Sequence, residues 1–133
     1  MKIILNNAIS IFNILLNIDT NSFKVNYWVF KNVKIFSDTN TFFIQERNKL
    51  YEKYCIRKDD GSYFTELENN ILKPNFKNSE SEQKFNTSFD KLLNTDCEIT
   101  PFMIDLKTLM DSNITLTPAQ IFVIEKLFTS PIE

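Results

Sequence analysis

Residues 23–54 read FKVNYWVFKNVKIFSDTNTFFIQERNKLYEKY, and the periodicity of this stretch decides the fold. Val29, Phe36, Phe43 and Leu50 recur every seven residues, which returns them to one face of a helix. Val33 and Tyr54 belong to the companion row, which Asn40 and Arg47 interrupt. A single helix of this length spans ~48 Å at 1.5 Å per residue. A small domain does not cover such a rod on all sides. Asp38-Thr39-Asn40-Thr41 is a patch of weak helix formers, and a kink or break is expected there if anywhere. Beyond it, Glu46, Arg47, Lys49, Glu52 and Lys53 form a charged, solvated face with i, i+3 and i, i+4 pairings.

Working outward, residues 3–18 read as an amphipathic helix with Leu5, Ala8, Ile9, Phe12, Leu15 and Leu16 on its apolar stripe. Asp19-Thr20-Asn21-Ser22 separates it from the long helix and offers several N-caps. Residues 55–73 read as a β-hairpin region. Asp60-Gly61 is its turn signal, and Tyr63, Phe64, Leu67, Ile71 and Leu72 are its apolar positions. Pro74 ends the segment. Ser79-Glu80-Ser81-Glu82 reads as a capping box with Ser79 as the cap, and Asn94 as an αL residue closing the helix that follows. Phe85, Phe89, Leu92 and Leu93 share one face of that helix. Residues 98–105 read as extended around Pro101, and 106–110 as a helical turn. Thr117-Pro118-Ala119-Gln120 is a second capping signature, ahead of inward-facing Ile121, Ile124, Leu127 and Phe128. The expected fold is α+β and mostly helical: one long helix at about 23–54 and two or three shorter ones around a small antiparallel β-sheet or hairpin. With 133 residues, no repeat and no linker, residues 1–133 are expected to form a single domain.

Composition excludes several functions. The chain has 15 Lys+Arg against 17 Asp+Glu, a net charge of −2, and so lacks the basic footprint of a duplex-DNA binder. It has no histidine, which removes the commonest general base and metal ligand and leaves Cys97 without a Cys/His pair. One glycine rules out a glycine-rich phosphate loop. With 43% hydrophobic residues and 13 Phe the chain can build a core. The abundance of Asn, Ile, Lys and Phe reads first as an AT-rich coding bias. Cys55 and Cys97 read as isolated thiols of a reducing cytosol rather than a disulfide. Met1-Lys2-Ile3-Ile4-Leu5 starts like a signal peptide, but Asn6, Asn7, Asn13 and Asn17 break the apolar run, so export is not expected. No stretch reaches the ~18 apolar residues of a membrane span. A cytoplasmic location is expected.

Three clusters could carry chemistry or binding. Asp59-Asp60-Gly61-Ser62 lacks the alternating oxygen ligands of a calcium loop, so it reads as a turn. Asp96, Glu98 and Asp105 would need to meet in a cleft to form a carboxylate site. No catalytic, cofactor or metal residue is assigned. Lys24, Lys31, Lys34, Arg47, Lys49, Lys53, Arg57 and Lys58 could form a basic strip with Tyr27, Trp28 and Phe30 interleaved, the pattern on which single-stranded bases stack. The aromatics of the long helix outnumber what one stripe buries. Tyr27, Trp28, Phe30, Lys31, Lys34, Arg47 and Arg57 are therefore the candidate partner-binding residues, toward another protein or a second copy of the chain.

The order of parts resembles a family of small uncharacterised proteins from bacteriophages and prophages of low-GC bacteria. The residues that carry this are Leu5 to Leu16 followed by Phe23-Lys24-Val25 to Lys31-Asn32-Val33. With them go Glu46-Arg47-Asn48-Lys49-Leu50-Tyr51-Glu52-Lys53-Tyr54 running into Lys58-Asp59-Asp60-Gly61. Last come Phe85-Asn86, Leu92-Leu93-Asn94-Thr95-Asp96-Cys97-Glu98-Ile99 and Leu116-Thr117-Pro118-Ala119-Gln120. The similarity covers most of the chain in order. It departs from the family where Asn and Phe replace Ala-rich helix faces. The resemblance implies a phage origin and an accessory role inside the infected cell, and it brings no activity or catalytic residue with it. The resulting expectation is a non-enzymatic protein that binds a host or phage protein. Its sharpest form is a steric, anti-CRISPR-like inhibitor of a host defence system. A virion assembly factor, chaperone or minor structural protein is the alternative, and single-stranded nucleic-acid binding a second one.

Overall fold

In a computed structural model, residues 1–66 and 71–129 are described. Leu67, one of the expected apolar hairpin positions, lies outside them. The fold is α+β and mostly helical, as its periodicities predict. The chain forms two compact units: residues 1–41 with 96–133, and residues 42–95.

In the first unit, β1 (Lys2–Ile4) leads directly into α1 (Leu5–Leu16). The expected helix start at residue 3 is thus a strand. β1 pairs antiparallel with β4 (Asp96–Glu98), with Ile3 opposite Cys97, and this turns Ile3 into the core. α1 buries Leu5, Ala8, Ile11 and Leu15. Leu16, placed on the stripe by sequence, is 56% exposed, and Ile11 takes its place inside. Positions 5, 8, 11 and 15 span an arc of about 120°, and Leu16, the last residue of the helix, falls about 20° beyond the Leu5 edge of that arc. A loop follows in which Ser22 caps α2 (Phe23–Tyr54), its hydroxyl accepting from the Val25 N–H at 3.3 Å.

α2 is the expected single long helix, continuous through Asp38-Thr39-Asn40-Thr41, the one patch where a break was expected if anywhere. Weak propensity there amounts to a few tenths of a kcal/mol per residue. Buried Phe36 and Phe43 on either side outweigh it. Within the first unit the buried seam is Val25, Trp28, Asn32 and Phe36, spaced i, i+3, i+7 and i+11. The seam is turned away from the expected Val29–Val33 side, whose residues are half-buried. Around it pack Ile3, Ala8, Ile11, Leu15, Ile99, Leu109, Ile124, Leu127 and Phe128.

The rest of this unit is short elements. β5 (Ile104–Asp105) pairs parallel with β6 (Phe128–Thr129), where an antiparallel arrangement was expected. α4 (Leu106–Met110) is the expected helical turn. α5 (Pro118–Ile124) starts on the capping box read from sequence. The Thr117 hydroxyl accepts from the Gln120 N–H at 3.2 Å, and the Gln120 side-chain oxygen Oε1 accepts from the Thr117 N–H at 2.9 Å. A 3-10 turn over Glu125–Leu127 then tightens the chain. It brings Leu127 and Phe128 inward, while Ile121 stays largely exposed against expectation.

The second unit holds residues 42–54 of α2, β2 (Phe64–Glu66), β3 (Leu72–Pro74) and α3 (Ser79–Leu93). The Asp60-Gly61 turn forms. The Gly61 N–H donates to the Lys58 oxygen at 2.9 Å and the Lys58 N–H to the Ser62 oxygen at 2.7 Å. Gly61 takes φ +85°, the left-handed position that this bulged turn requires. β2 and β3 pair antiparallel, Phe64 opposite Pro74. Asn75 extends the pattern, donating to the Tyr63 oxygen and accepting from the Ile56 N–H. The cap of α3 is Asn78, one residue before the expected Ser79, with its side-chain oxygen accepting from the Ser81 N–H at 2.8 Å. Glu82 pairs with Lys73 at 3.3 Å. Asn94 has φ −96°, so it is not the expected αL residue; among the described residues, Asn113 is the non-glycine with positive φ, at 59°. The core of this unit is aromatic. Tyr51, Phe85 and Phe89 stack in series, Tyr51–Phe85 and Phe85–Phe89 both at 5.5 Å between centroids.

Candidate functional site

The first turns of α2 and the chain at 102–108 enclose an open groove of about 530 Å³ in the first unit. Phe23, Lys24, Tyr27 and Trp28 line it from the helix. Phe102, Met103, Ile104, Asp105 and Thr108 line it from the other side.

Each wall is fixed by identifiable bonds. On the α2 side, Ser22 is the cap and the Thr20 hydroxyl accepts from the Ser22 N–H at 3.1 Å. Asn26 donates from its side chain to the Thr20 oxygen at 3.0 Å. The opposite wall hangs on Asn32, the buried polar side chain of the core seam. Its Nδ2 donates to the Phe102 oxygen at 2.8 Å, and its Oδ1 accepts from the Phe102 N–H at 3.0 Å. The same Nδ2 reaches the Trp28 oxygen at 3.0 Å. This amide therefore clamps both backbone groups of Phe102 to the helix. The Phe102 ring then meets Tyr27 edge-on, centroids 5.7 Å apart. Further along the same wall, Asp105 caps α4. Its Oδ1 accepts from the Thr108 N–H at 2.8 Å and its Oδ2 from the Thr108 hydroxyl at 2.7 Å. The Thr108 hydroxyl first, and the Thr108 backbone N–H next, hold the Asp105 carboxyl below the usual range; the Lys24 ammonium adds to this.

The seven residues singled out by sequence separate into three groups. Tyr27 and Phe30 are 54% and 59% exposed, and Lys34 is exposed; Lys31 is half-buried with its amine 5.9 Å from the Tyr27 and Phe102 centroids. These four remain on one helix face. Trp28 does not belong with them: it is fully buried, its indole N–H donating to the Leu127 oxygen at 3.0 Å. It forms the floor of the groove and is not a surface anchor. Arg47 and Arg57 are engaged within the second unit. The Arg47 guanidinium lies over the Phe43 and Tyr51 rings at 5.5 and 5.6 Å, with its Nε buried and unbonded. Burial raises the Tyr51 hydroxyl above its ordinary range, against the pull of this guanidinium. Arg57 donates from Nε to the Gly61 oxygen at 3.3 Å and so clasps the turn.

Sequence reading missed Phe23, 90% exposed at the head of α2, and the whole wall at 102–105. Phe23 was legible: it stands four residues before Tyr27 on the same face. The wall was not, because nothing local ties residue 102 to residue 32.

The carboxylate trio does not form a site. Asp96, Glu98 and Asp105 are all exposed, Asp105 serves as a cap, and Glu98 accepts from the Met1 amino group at 2.7 Å. Among the described residues no cluster of three or more His, Cys, Asp or Glu side chains could hold a metal ion. Neither Cys55 nor Cys97 is in a disulfide, and burial raises both thiols above their ordinary range. Among the described residues no helix is long and apolar enough to cross a membrane.

No protein-family model, curated protein or solved structure matches this chain, so the comparisons lend no support to the phage-family resemblance.

Proposed function

We propose that this protein acts without catalysis, by binding another protein through the groove and helix face built on Phe23, Tyr27, Phe30, Phe102 and Met103. Exposure of three aromatic rings on one side of one helix carries this reading: Phe23 at 90%, Tyr27 at 54% and Phe30 at 59%. Contiguous exposed apolar surface is uncommon on a chain with no partner, and aromatic side chains are enriched at the core of protein interfaces. Asn32 holds the opposite wall in place beforehand, which lowers the ordering cost of binding. The narrower form of the reading is steric inhibition of a host defence effector, a CRISPR nuclease for instance, inside an infected bacterium.

The test is affinity purification of the tagged chain beside a Phe23→Ser/Tyr27→Ser/Phe30→Ser variant. All three side chains are exposed, so the variant is expected to fold. A protein retained by the natural sequence and lost by the variant supports the reading. Identical retention by both refutes it for this face. The narrower form requires the retained protein to be a defence effector whose activity falls when the chain is added.

A further inference from the structure

Over its first turns the face of α2 beside the groove combines rings and positive charge, and Asp38, one turn past Lys34, ends it on the same arc. At 3.6 residues per turn, Phe23, Lys24, Tyr27, Phe30, Lys31 and Lys34 fall within an arc of about 120°. Every one of them is exposed or half-buried. Between Ser22 and Ser37 the helix carries three lysines and no Asp or Glu. Among the described residues, none of these lysines is in an ion pair, although others such as Lys49, Lys73 and Lys84 are. Of the residues lining the groove one is a carboxylate, Asp105, whose oxygens accept from Thr108 and whose charge is opposed by Lys24. A chain with an acidic balance overall thus presents a local excess of cations, three lysines against Asp38 and Asp105, beside an apolar floor.

From this complementarity, and resting on the reading of this face as a protein-binding surface, we infer that the partner segment is acidic and amphipathic. Its apolar side chains enter the groove against Met103, Ile104 and the Phe102 ring. Its carboxylates meet Lys24, Lys31 and Lys34. The volume of about 530 Å³ falls within the ~300–1,000 Å³ range of binding pockets, room for more than one side chain. Nucleic acid suits the same lysines less well. The face carries no arginine, and the floor includes Met103 and Ile104. The Tyr27 ring is occupied at its side by Phe102 with the Lys31 amine nearby, which leaves it a poor platform for a base.

The experiment pans a displayed library of random 12-residue peptides on the full chain. A Lys24→Glu/Lys31→Glu variant and the Phe23→Ser/Tyr27→Ser variant run in parallel. A 20-nucleotide oligo-dT strand is titrated separately. Trp28, the chain's one tryptophan, lies in the groove floor and reports both occupancy and folding by its emission. Selected peptides are expected to join large apolar residues to Asp and Glu. Their affinity is expected to fall with salt, and by about tenfold in the charge-reversed variant. That variant's unchanged Trp28 emission establishes that it folds. Enrichment of neutral or basic peptides that still need Phe23 and Tyr27 overturns the acidic partner and leaves the protein-binding reading standing. So does an affinity indifferent to charge reversal. No peptide dependent on Phe23 and Tyr27 overturns both. Tight oligo-dT binding abolished by charge reversal overturns both in favour of single-stranded nucleic acid.

Discussion

Replacing Asn32 with Leu should detach one wall of the groove and destabilise the first unit together. Leucine keeps the branching and approximate size of asparagine but neither its donor nor its acceptor. Three hydrogen bonds disappear: to the Trp28 oxygen, to the Phe102 oxygen and from the Phe102 N–H. The Trp28 oxygen sits within α2 and keeps its helical partner, so its loss counts for little. The two groups of Phe102 are left without theirs. An unsatisfied buried backbone group costs about 1–3 kcal/mol. Phe102 is partly exposed, which places each at the low end, for a total of about 2–3 kcal/mol. With a urea slope of about 1.5 kcal/mol/M, the midpoint falls by about 1.5 M. Urea unfolding followed by Trp28 emission is the assay, because that residue lies in the core of this unit and no other tryptophan confuses the signal. Asn32→Asp is the informative companion. Its carboxylate accepts from the Phe102 N–H but faces two carbonyl oxygens, so burial and repulsion raise its pKa in the folded chain. The folded state then binds the proton more readily than the unfolded one, and this variant gains stability as pH falls from 7 toward 5. Refutation would be a Leu variant whose midpoint stays within about 0.3 M of the natural chain, or an Asp variant indifferent to pH over that range.

Asp105 titrates with the opposite sign. Its carboxyl is held low in the folded chain, so its contribution is present above the unfolded pKa and disappears as pH falls through the folded one. Asp105→Asn should therefore flatten the acid limb of a urea-midpoint profile without changing the alkaline side. Trp28→Phe removes the bond to the Leu127 oxygen and part of the core volume, and should lower stability by about 1–3 kcal/mol in thermal unfolding followed by circular dichroism. Arg47→Met should be within about 0.5 kcal/mol of neutral: it preserves the stem between Phe43 and Tyr51 and removes both the cation–π attraction and the buried, unbonded Nε. A loss above about 2 kcal/mol in its urea midpoint would mean that the guanidinium has a partner the geometry does not include.

What the sequence determined by itself is local. The long helix follows from the recurrence of Val29, Phe36, Phe43 and Leu50, and the start of α5 from Thr117-Pro118-Ala119-Gln120, whose two reciprocal bonds close within three residues. The turn at Gly61 follows from the only residue free to take its φ without strain. These features need no distant contact, so spacing and residue type suffice. Which side of α2 turns inward was not local. Trp28 bonds a residue 99 positions away and Asn32 one 70 positions away. Before those segments pack, an exposed ring and a buried one look alike in the sequence, and an asparagine in an Asn-rich chain looks like solvent-facing filler. Packing against Phe102, Leu127 and Phe128 put Trp28 and Asn32 inside and left Phe23, Tyr27 and Phe30 outside. The tertiary structure thus chose the candidate site, because a helix with apolar residues on several faces buries whichever face the rest of the chain can cover.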